Sequence, residues 1–322
     1  MNTPAQSSYK SNHRDIPGNP SMAKTSSIKL NKRENKEPLR VLTDSQWNFW
    51  RENGYVVIKN AIPREQAEKT ASFLWEFEEK SPDNPETWYS APRAEMQMKE
   101  LAGTGMVEVY NHQHLWTNRQ SQKIYNAFVD VWGTEKLWVT IDRANLNFPI
   151  KKDFEYKGFI HWDYDPETKP ENVQGVIALS DQTDTNMGGF QCIPWLYQNY
   201  NTWKASQPED RNCFKPDITA LGDKIEKVSM EAGDLLIFNS LLAHGIRPNQ
   251  SKGKVRIAQY ISMMPAEEQN ESLKEWRINS WQHRVAPEGY AFPGDPRNWE
   301  QERYATAQLN SLGEKLLGIK SW

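Results

Sequence analysis

A chain of 322 residues can hold one large domain or two small ones, and all-β folds often reach ~200–250 residues as a single domain. Its 39 basic and 42 acidic residues leave a net charge of -3 with the signs interspersed, which argues against a nucleic-acid-binding surface or a polybasic membrane anchor. No apolar run approaches a membrane span, the amino terminus lacks a signal-peptide core, and Cys192 and Cys213 form no metal-ligand or Cys-x-x-Cys spacing, so a soluble cytoplasmic protein with reduced thiols is expected.

Residues 1 to about 38 are rich in Ser, Asn, Lys and Pro and bury too little to offset ordering entropy. A disordered tail is expected there, with one domain over residues 39–322. Structure starts near Leu42-Thr43-Asp44-Ser45, a capping sequence ahead of Trp47 and Trp50, and that helix closes at Asn53-Gly54. Tyr55-Val56-Val57-Ile58 reads as a short strand. Pro63 opens a second helix to about Glu79, with Ala67, Ala71, Leu74 and Trp75 on one face. Residues 81–95 read as a loop.

Val107 to Trp116 fits a strand, which puts Tyr110, His112, His114 and Trp116 on one face as a candidate pocket wall. His112 and His114 form a possible second metal pair, but no carboxylate shares their register. A helix follows from Arg119 to about Trp132. Leu137 to Phe148 reads as one long strand with Arg143, Asn145 and Asn147 on one face and Ala144, Leu146 and Phe148 on the other. Such a polar face meets either water or a polar cavity inside a barrel.

Val173–Leu179, Phe190–Pro194, Ile225–Met230, Leu235–Phe238 and Val255–Ile261 are further strands. The aromatic segment from Trp195 to about Phe214 reads as an excursion over a site, and helices return near residues 267–281 and 309–317. Short strands at near-regular spacing, separated by Gly, Pro and Asn turns, predict a closed or double-sheet β architecture.

The chemistry centres on His161-Trp162-Asp163. On a strand, His161 and Asp163 share a face and Trp162 turns the other way. His244, delivered from a later strand, completes two imidazoles and one carboxylate, the donor set of non-heme Fe(II) sites with open coordination positions. A His-x-Asp triplet is weak by itself, and a structural histidine beside a solvated carboxylate is the plain alternative. Two open positions on Fe(II) suit a chelating 2-oxo acid and the third suits dioxygen. The far carboxylate of such an acid calls for a guanidinium. Arg256 is favoured, because apolar Val255 and Ile257 flank it and alternation turns it inward; Arg247 stands before Pro248 at what reads as a turn.

In order along the chain, Gly54-Tyr55-Val56-Val57-Ile58, His161-Trp162-Asp163, Gly188-Gly189-Phe190-Gln191-Cys192-Ile193-Pro194, Gly233-Asp234, His244-Gly245 and Pro248-Asn249-Gln250-Ser251 ahead of Arg256 resemble the phytanoyl-CoA dioxygenase-like oxygenases over roughly residues 42–265. The resemblance implies a mainly β fold, a double-stranded β-helix (jelly-roll, cupin-like) core at about residues 105–265 with helical flanks. It implies an Fe(II)- and 2-oxoglutarate-dependent dioxygenase that releases succinate and CO2 as it oxidises a C–H bond. His161, Asp163 and His244 are then the iron ligands, Arg256 the partner of the 2-oxoglutarate distal carboxylate, and Asn147 a cosubstrate contact. Arg143, Asn145, His112, His114, Trp116 and Trp162 are candidates for the substrate side, a polar and aromatic wall that suits a small polar metabolite.

Two departures stand out. Trp195-Leu196-Tyr197 replaces the Gly-Ser-His that often follows the Ile-Pro strand, which affects the cover of the site. Asp163 occupies the position of the small residue in the halide-binding variant, so hydroxylation, desaturation or dealkylation is expected over halogenation. The rivals are a jelly-roll isomerase or hydrolase that ignores 2-oxoglutarate, and a metal-free binding scaffold.

Overall fold

The strands alternate their side chains between a shared interior and a helix-covered exterior, and that alternation decides which residues reach the site. The computed structural model describes residues 30–34, 38–90, 105–150, 158–163, 165–167, 171–287 and 292–322. In chain order the strands are β1 (Tyr55–Ile58), β2 (Met106–Val107), β3 (Leu137–Val139), β4 (Ala144–Asn147), β5 (Val173–Ala178), β6 (Met187–Cys192), β7 (Glu226–Lys227), β8 (Leu235–Asn239), β9 (His244–Asn249), β10 (Arg256–Tyr260) and β11 (Met263–Pro265). The helices are α1 (Asp44–Asn53), α2 (Arg64–Phe77), α3 (Gln113–Arg119), α4 (Gln122–Trp132), α5 (Pro194–Ala205), α6 (Glu271–His283), α7 (Trp299–Arg303) and α8 (Ser311–Leu317).

Of the two sheets that face each other, the larger is antiparallel with six strands in the order β1-β8-β5-β10-β4-β2 and the smaller has three, β7-β6-β9; β11 and β3 form a separate two-stranded sheet. His161 extends the smaller sheet beyond β9, because His161 N–H donates to His244 O at 2.8 Å and His244 N–H donates back at 3.0 Å. This is the double-stranded β-helix core with flanking helices. Val176, Ala178, Leu236, Phe238 and Ala258 of the large sheet face Phe190, Cys192, Val228 and Met230 across the interior. The alternate residues Val173, Ile177, Leu235, Ile237 and Ile257 pack outward against Phe73, Ile124 and Phe128 of the helices. Both faces of the large sheet are therefore buried, which is why β8 reads as a continuous apolar run. Each fully buried Leu or Ile contributes roughly 1.5–3 kcal/mol over exposure.

Four expectations change. The amino-terminal tail was expected to be disordered to about residue 38, yet Leu30 is buried and its N–H donates to Glu171 Oε2 at 2.9 Å. Residues 1–29 and 35–37 lie outside the described residues. The strand expected from Leu137 to Phe148 is two strands on different partners: β3 pairs with β11 and β4 with β10. The break is local, since Asp142 Oδ1 accepts the N–H of Arg143 and takes it out of any ladder. The strand expected from Val107 to Trp116 stops at Val107. Glu300, far along the chain, accepts the N–H groups of Tyr110 and Asn111, and His112 Nδ1 then caps α3 by accepting from His114 N–H. The excursion from Trp195 begins as α5, with Pro194 in its first turn, where the missing N–H costs nothing. Among the described residues no helix is long and apolar enough to cross a membrane.

Candidate active site

His161, Asp163 and His244 converge because β9 and the segment carrying His161 are hydrogen-bonded neighbours and period-2 geometry turns Asp163 to the same side as His161. One ligand atom from each lies within 4.8 Å of the others. His161 Nε2 stands 3.3 Å from Asp163 Oδ1, and His244 Nε2 stands 3.4 Å from Asp163 Oδ2. His244 Nδ1 lies 2.8 Å from Leu242 O, an acceptor only, so the proton is assigned to Nδ1 and the Nε2 lone pair is free for a metal. Phe190 and Phe238 lie against that imidazole, with ring centroids 5.7 and 4.5 Å away. Burial opposes ionisation of Asp163, but the two imidazoles outweigh it and hold the carboxyl well below its usual range. Two imidazole Nε2 atoms and a carboxylate on one side of a shared point fit a divalent cation.

Gln174 of β5, which sequence reasoning passed over, donates from Nε2 to Asp163 Oδ2 at 2.6 Å. Its signal was legible: it is the one polar side chain in Val173-Gln174-Gly175-Val176-Ile177-Ala178-Leu179. Outer contacts of this kind hold a ligand in position and are worth about 10–100-fold in metal affinity. Gln174→Leu should weaken Co(II) binding by about that factor while circular dichroism stays unchanged; unaltered Co(II) affinity would dismiss the role.

At the other end of the interior, Arg256 is buried opposite Asn147 in the β10–β4 register. Its Nε donates to Gln182 Oε1 at 3.3 Å and its Nη1 to Asn145 Oδ1 at 3.2 Å, while Nη2 has no partner among the described residues. Asn147 Oδ1 is likewise buried and unpaired. A buried guanidinium with a free donor, opposite an amide across the strand pair, suits a carboxylate brought from solution. Nothing on β10 supplies that charge.

The phytanoyl-CoA dioxygenase profile matches residues 50–258, well over half of the chain and all of the site just described. The chain belongs to the phytanoyl-CoA dioxygenase family. A curated relative, Ava biosynthesis cluster protein O of Aspergillus versicolor, is 24% identical over 286 residues, covering 82% of this chain and 90% of its own. Among solved structures, the GlcNAc-inducible gene 2 protein of Candida albicans is 13% identical with a TM-score of 0.61, over 87% of this chain and 78% of that one. A hypothetical protein of Escherichia coli is 19% identical with a TM-score of 0.60, over 86% and 82%. At these identities the solved structures share the fold.

Several residues expected on the substrate side of this dioxygenase-family chain are elsewhere. Trp162 is fully buried; its Nε1 donates to Leu241 O, and its ring packs on Tyr200 and Trp203 of α5. It braces the triad strand from behind. Trp116 is also fully buried, with Nε1 donating to Asn111 Oδ1. His112 and His114 line a separate cleft of about 500 Å³ with Glu65, Lys69, Phe73 and Tyr304. The cause is the helix at residue 113, which rotates away side chains that a strand would have aligned. Arg143 shares the inward face with Asn145 and Asn147 but is paired with Glu108 at 2.7 Å and lies over the Phe292 ring. Asn145 supports Arg256. The polar wall proposed from the sequence is thus dispersed.

His112 has a structural consequence of its own. It stacks flat on Phe73, centroids 3.6 Å apart, and burial together with the His114 charge pushes its imidazole down to about 3. The folded value lies below the unfolded value of about 6.5, so the unfolded chain takes up the proton first and stability is lost as pH falls through that window. His112→Asn keeps a capping oxygen, and its urea midpoint should fall less than the wild-type midpoint between about pH 7 and pH 5. Equal losses in both proteins would assign the pH dependence to other groups.

Proposed function

We propose that this protein is an Fe(II)- and 2-oxoglutarate-dependent dioxygenase that hydroxylates a C–H bond of a small metabolite. The observation that carries the proposal is the pairing of two features in one β-helix: the His161-Asp163-His244 donor set and, beyond it, a buried arginine with an unpartnered donor. Membership of the family supports it. The name of the Aspergillus versicolor relative, a biosynthesis cluster protein, supports a biosynthetic substrate.

In this proposal His161 Nε2, His244 Nε2 and one oxygen of Asp163 would hold the metal. Gln174 fixes the carboxylate through its amide N–H. Phe190 and Phe238 keep water from the His244 side. Arg256 binds the distal carboxylate of 2-oxoglutarate, and Asn147, across the strand pair, contacts the cosubstrate through its amide. When bound, Fe(II) with 2-oxoglutarate and dioxygen supplies the oxidising chemistry, releasing succinate and CO2. Desaturation and dealkylation are the other outcomes open to the same substrate oxidation.

The test is an anaerobic titration with Fe(II) and 2-oxoglutarate, followed by succinate release in air. A weak visible charge-transfer band that needs both additions supports the proposal. Bound iron without the band would favour a metalloenzyme independent of 2-oxoglutarate, such as an isomerase or hydrolase. Failure to retain iron would leave a binding scaffold.

A further inference from the structure

Two guanidiniums, rather than one, close the end of the interior away from the triad. Arg247 on β9 is 3% exposed and Arg256 on β10 is 1% exposed. The sequence suggested that Arg247 sits at a loose turn before Pro248, yet β9 runs on to Asn249 and holds it. Arg247 Nη1 donates to Phe190 O at 2.6 Å, and its Nε has no partner. Among the described residues every hydrogen-bond partner of the two arginines is a neutral carbonyl or amide oxygen. Among the described residues neither makes an ion pair with a carboxylate.

The backbone is shaped around them. Gly188 and Gly189 are both left-handed, at φ +81° and +102°. A side-chain carbon at Gly189 would lie 2.8 Å from Arg247 Nη2 and 3.3 Å from Gln182 Oε1, the oxygen that also accepts from Arg256. One at Gly188 would lie 2.9 Å from Asn147 Oδ1. The glycine pair thus opens a passage through which Arg247 crosses beneath β6 to the space that Arg256 and Asn147 border. Burial, and after it the charge of Arg256, push the Arg247 guanidinium down to about 10. Holding two such charges dry is costly unless an anion joins them.

We propose that Arg247 is a second guanidinium contact for the distal carboxylate of 2-oxoglutarate, so that the acid end of the cosubstrate is held between Arg247 and Arg256. This rests on the cosubstrate assignment made above. It makes the pocket selective for 2-oxo diacids: a 2-oxo acid without the second carboxylate leaves both arginines uncompensated. Loss of Arg247 leaves Phe190 O paired, because Val228 N–H also donates to it at 3.0 Å.

The experiment is calorimetric binding of 2-oxoglutarate and of 2-oxobutyrate to the anaerobic Fe(II)-loaded full-length protein, in wild type, Arg247→Met, Arg247→Lys and Arg256→Met, with thermal midpoints of the metal-free proteins. Arg247→Met should weaken 2-oxoglutarate by about 10–100-fold and leave 2-oxobutyrate unchanged, with the lysine variant in between. Its metal-free midpoint should rise, since a like-charge repulsion is removed; a purely structural arginine would lower it. Wild-type affinity for 2-oxoglutarate in Arg247→Met, or an equal loss for both acids, would overturn the second contact while Arg256→Met still tests the first. No 2-oxoglutarate binding in the wild type would overturn both assignments.

Discussion

Asp163→Ala should abolish metal retention and turnover while leaving the fold in place. Asp163 is the only anionic donor of the three, and both of its oxygens are engaged, Oδ1 toward His161 and Oδ2 toward His244 and Gln174. Removing it leaves two imidazoles and a neutral amide facing a divalent cation, with no charge to offset it. An outer contact is worth about 10–100-fold, so loss of a ligand with its charge should exceed about 100-fold in Fe(II) affinity. Asp163→Glu keeps the charge and moves it by one methylene, and it should bind Fe(II) more weakly than wild type but more tightly than the alanine variant. The measurement is Fe(II) retention after anaerobic gel filtration, with Co(II) spectra as a second readout of coordination. An alanine variant that retains iron at wild-type stoichiometry would remove Asp163 from the ligand set.

Gly245→Ala should damage both the fold and the site, although residue 245 is none of the three donors. A side-chain carbon there would fall 1.8 Å from the carbonyl oxygen of Phe159, which is backbone and has nowhere to turn. The only relief is to part β9 from the segment that carries His161 and Asp163. That breaks the reciprocal hydrogen bonds between His161 and His244 and leaves their backbone groups partly unsatisfied. Two such bonds, with the desolvation left behind, amount to roughly 2–4 kcal/mol of stability. Separation also spreads the Nε2 donors, so metal affinity should drop by at least the roughly 10–100-fold that loss of an outer contact to a ligand costs. Thermal unfolding of the metal-free protein and a Co(II) titration read the two effects separately. A variant with normal metal affinity and a lowered midpoint would show that the triad tolerates the separation.

The triad was legible because its information is local. His161 and Asp163 are two residues apart, and any strand puts them on one side. His244 follows a run, Leu235–Phe238, that only a buried strand explains. Arg256 was legible for the same reason, since its apolar neighbours leave it one direction to point. Gln174 left a trace that went unused: a single amide in an apolar strand must meet a polar partner when buried.

Other residues carry no such local trace. The stretch from Val107 to Trp116 satisfies strand periodicity, and its choice of helix is made by Glu300, which takes the Tyr110 and Asn111 N–H groups from some 190 residues away. That choice removes His112, His114 and Trp116 from the site. Arg247 was discounted because Arg247-Pro248 reads as the start of a turn, where a side chain is less well held, whereas β9 accommodates the proline and Gly189 clears the path for the guanidinium. By itself the sequence determined the His161, Asp163 and His244 cluster, the inward arginine and the double-sheet class, all properties of spacing and alternation along the strands. Only the tertiary structure decided which second arginine joins the first and which aromatic and imidazole side chains stay away, because those outcomes depend on backbone donors and empty space contributed by distant parts of the chain.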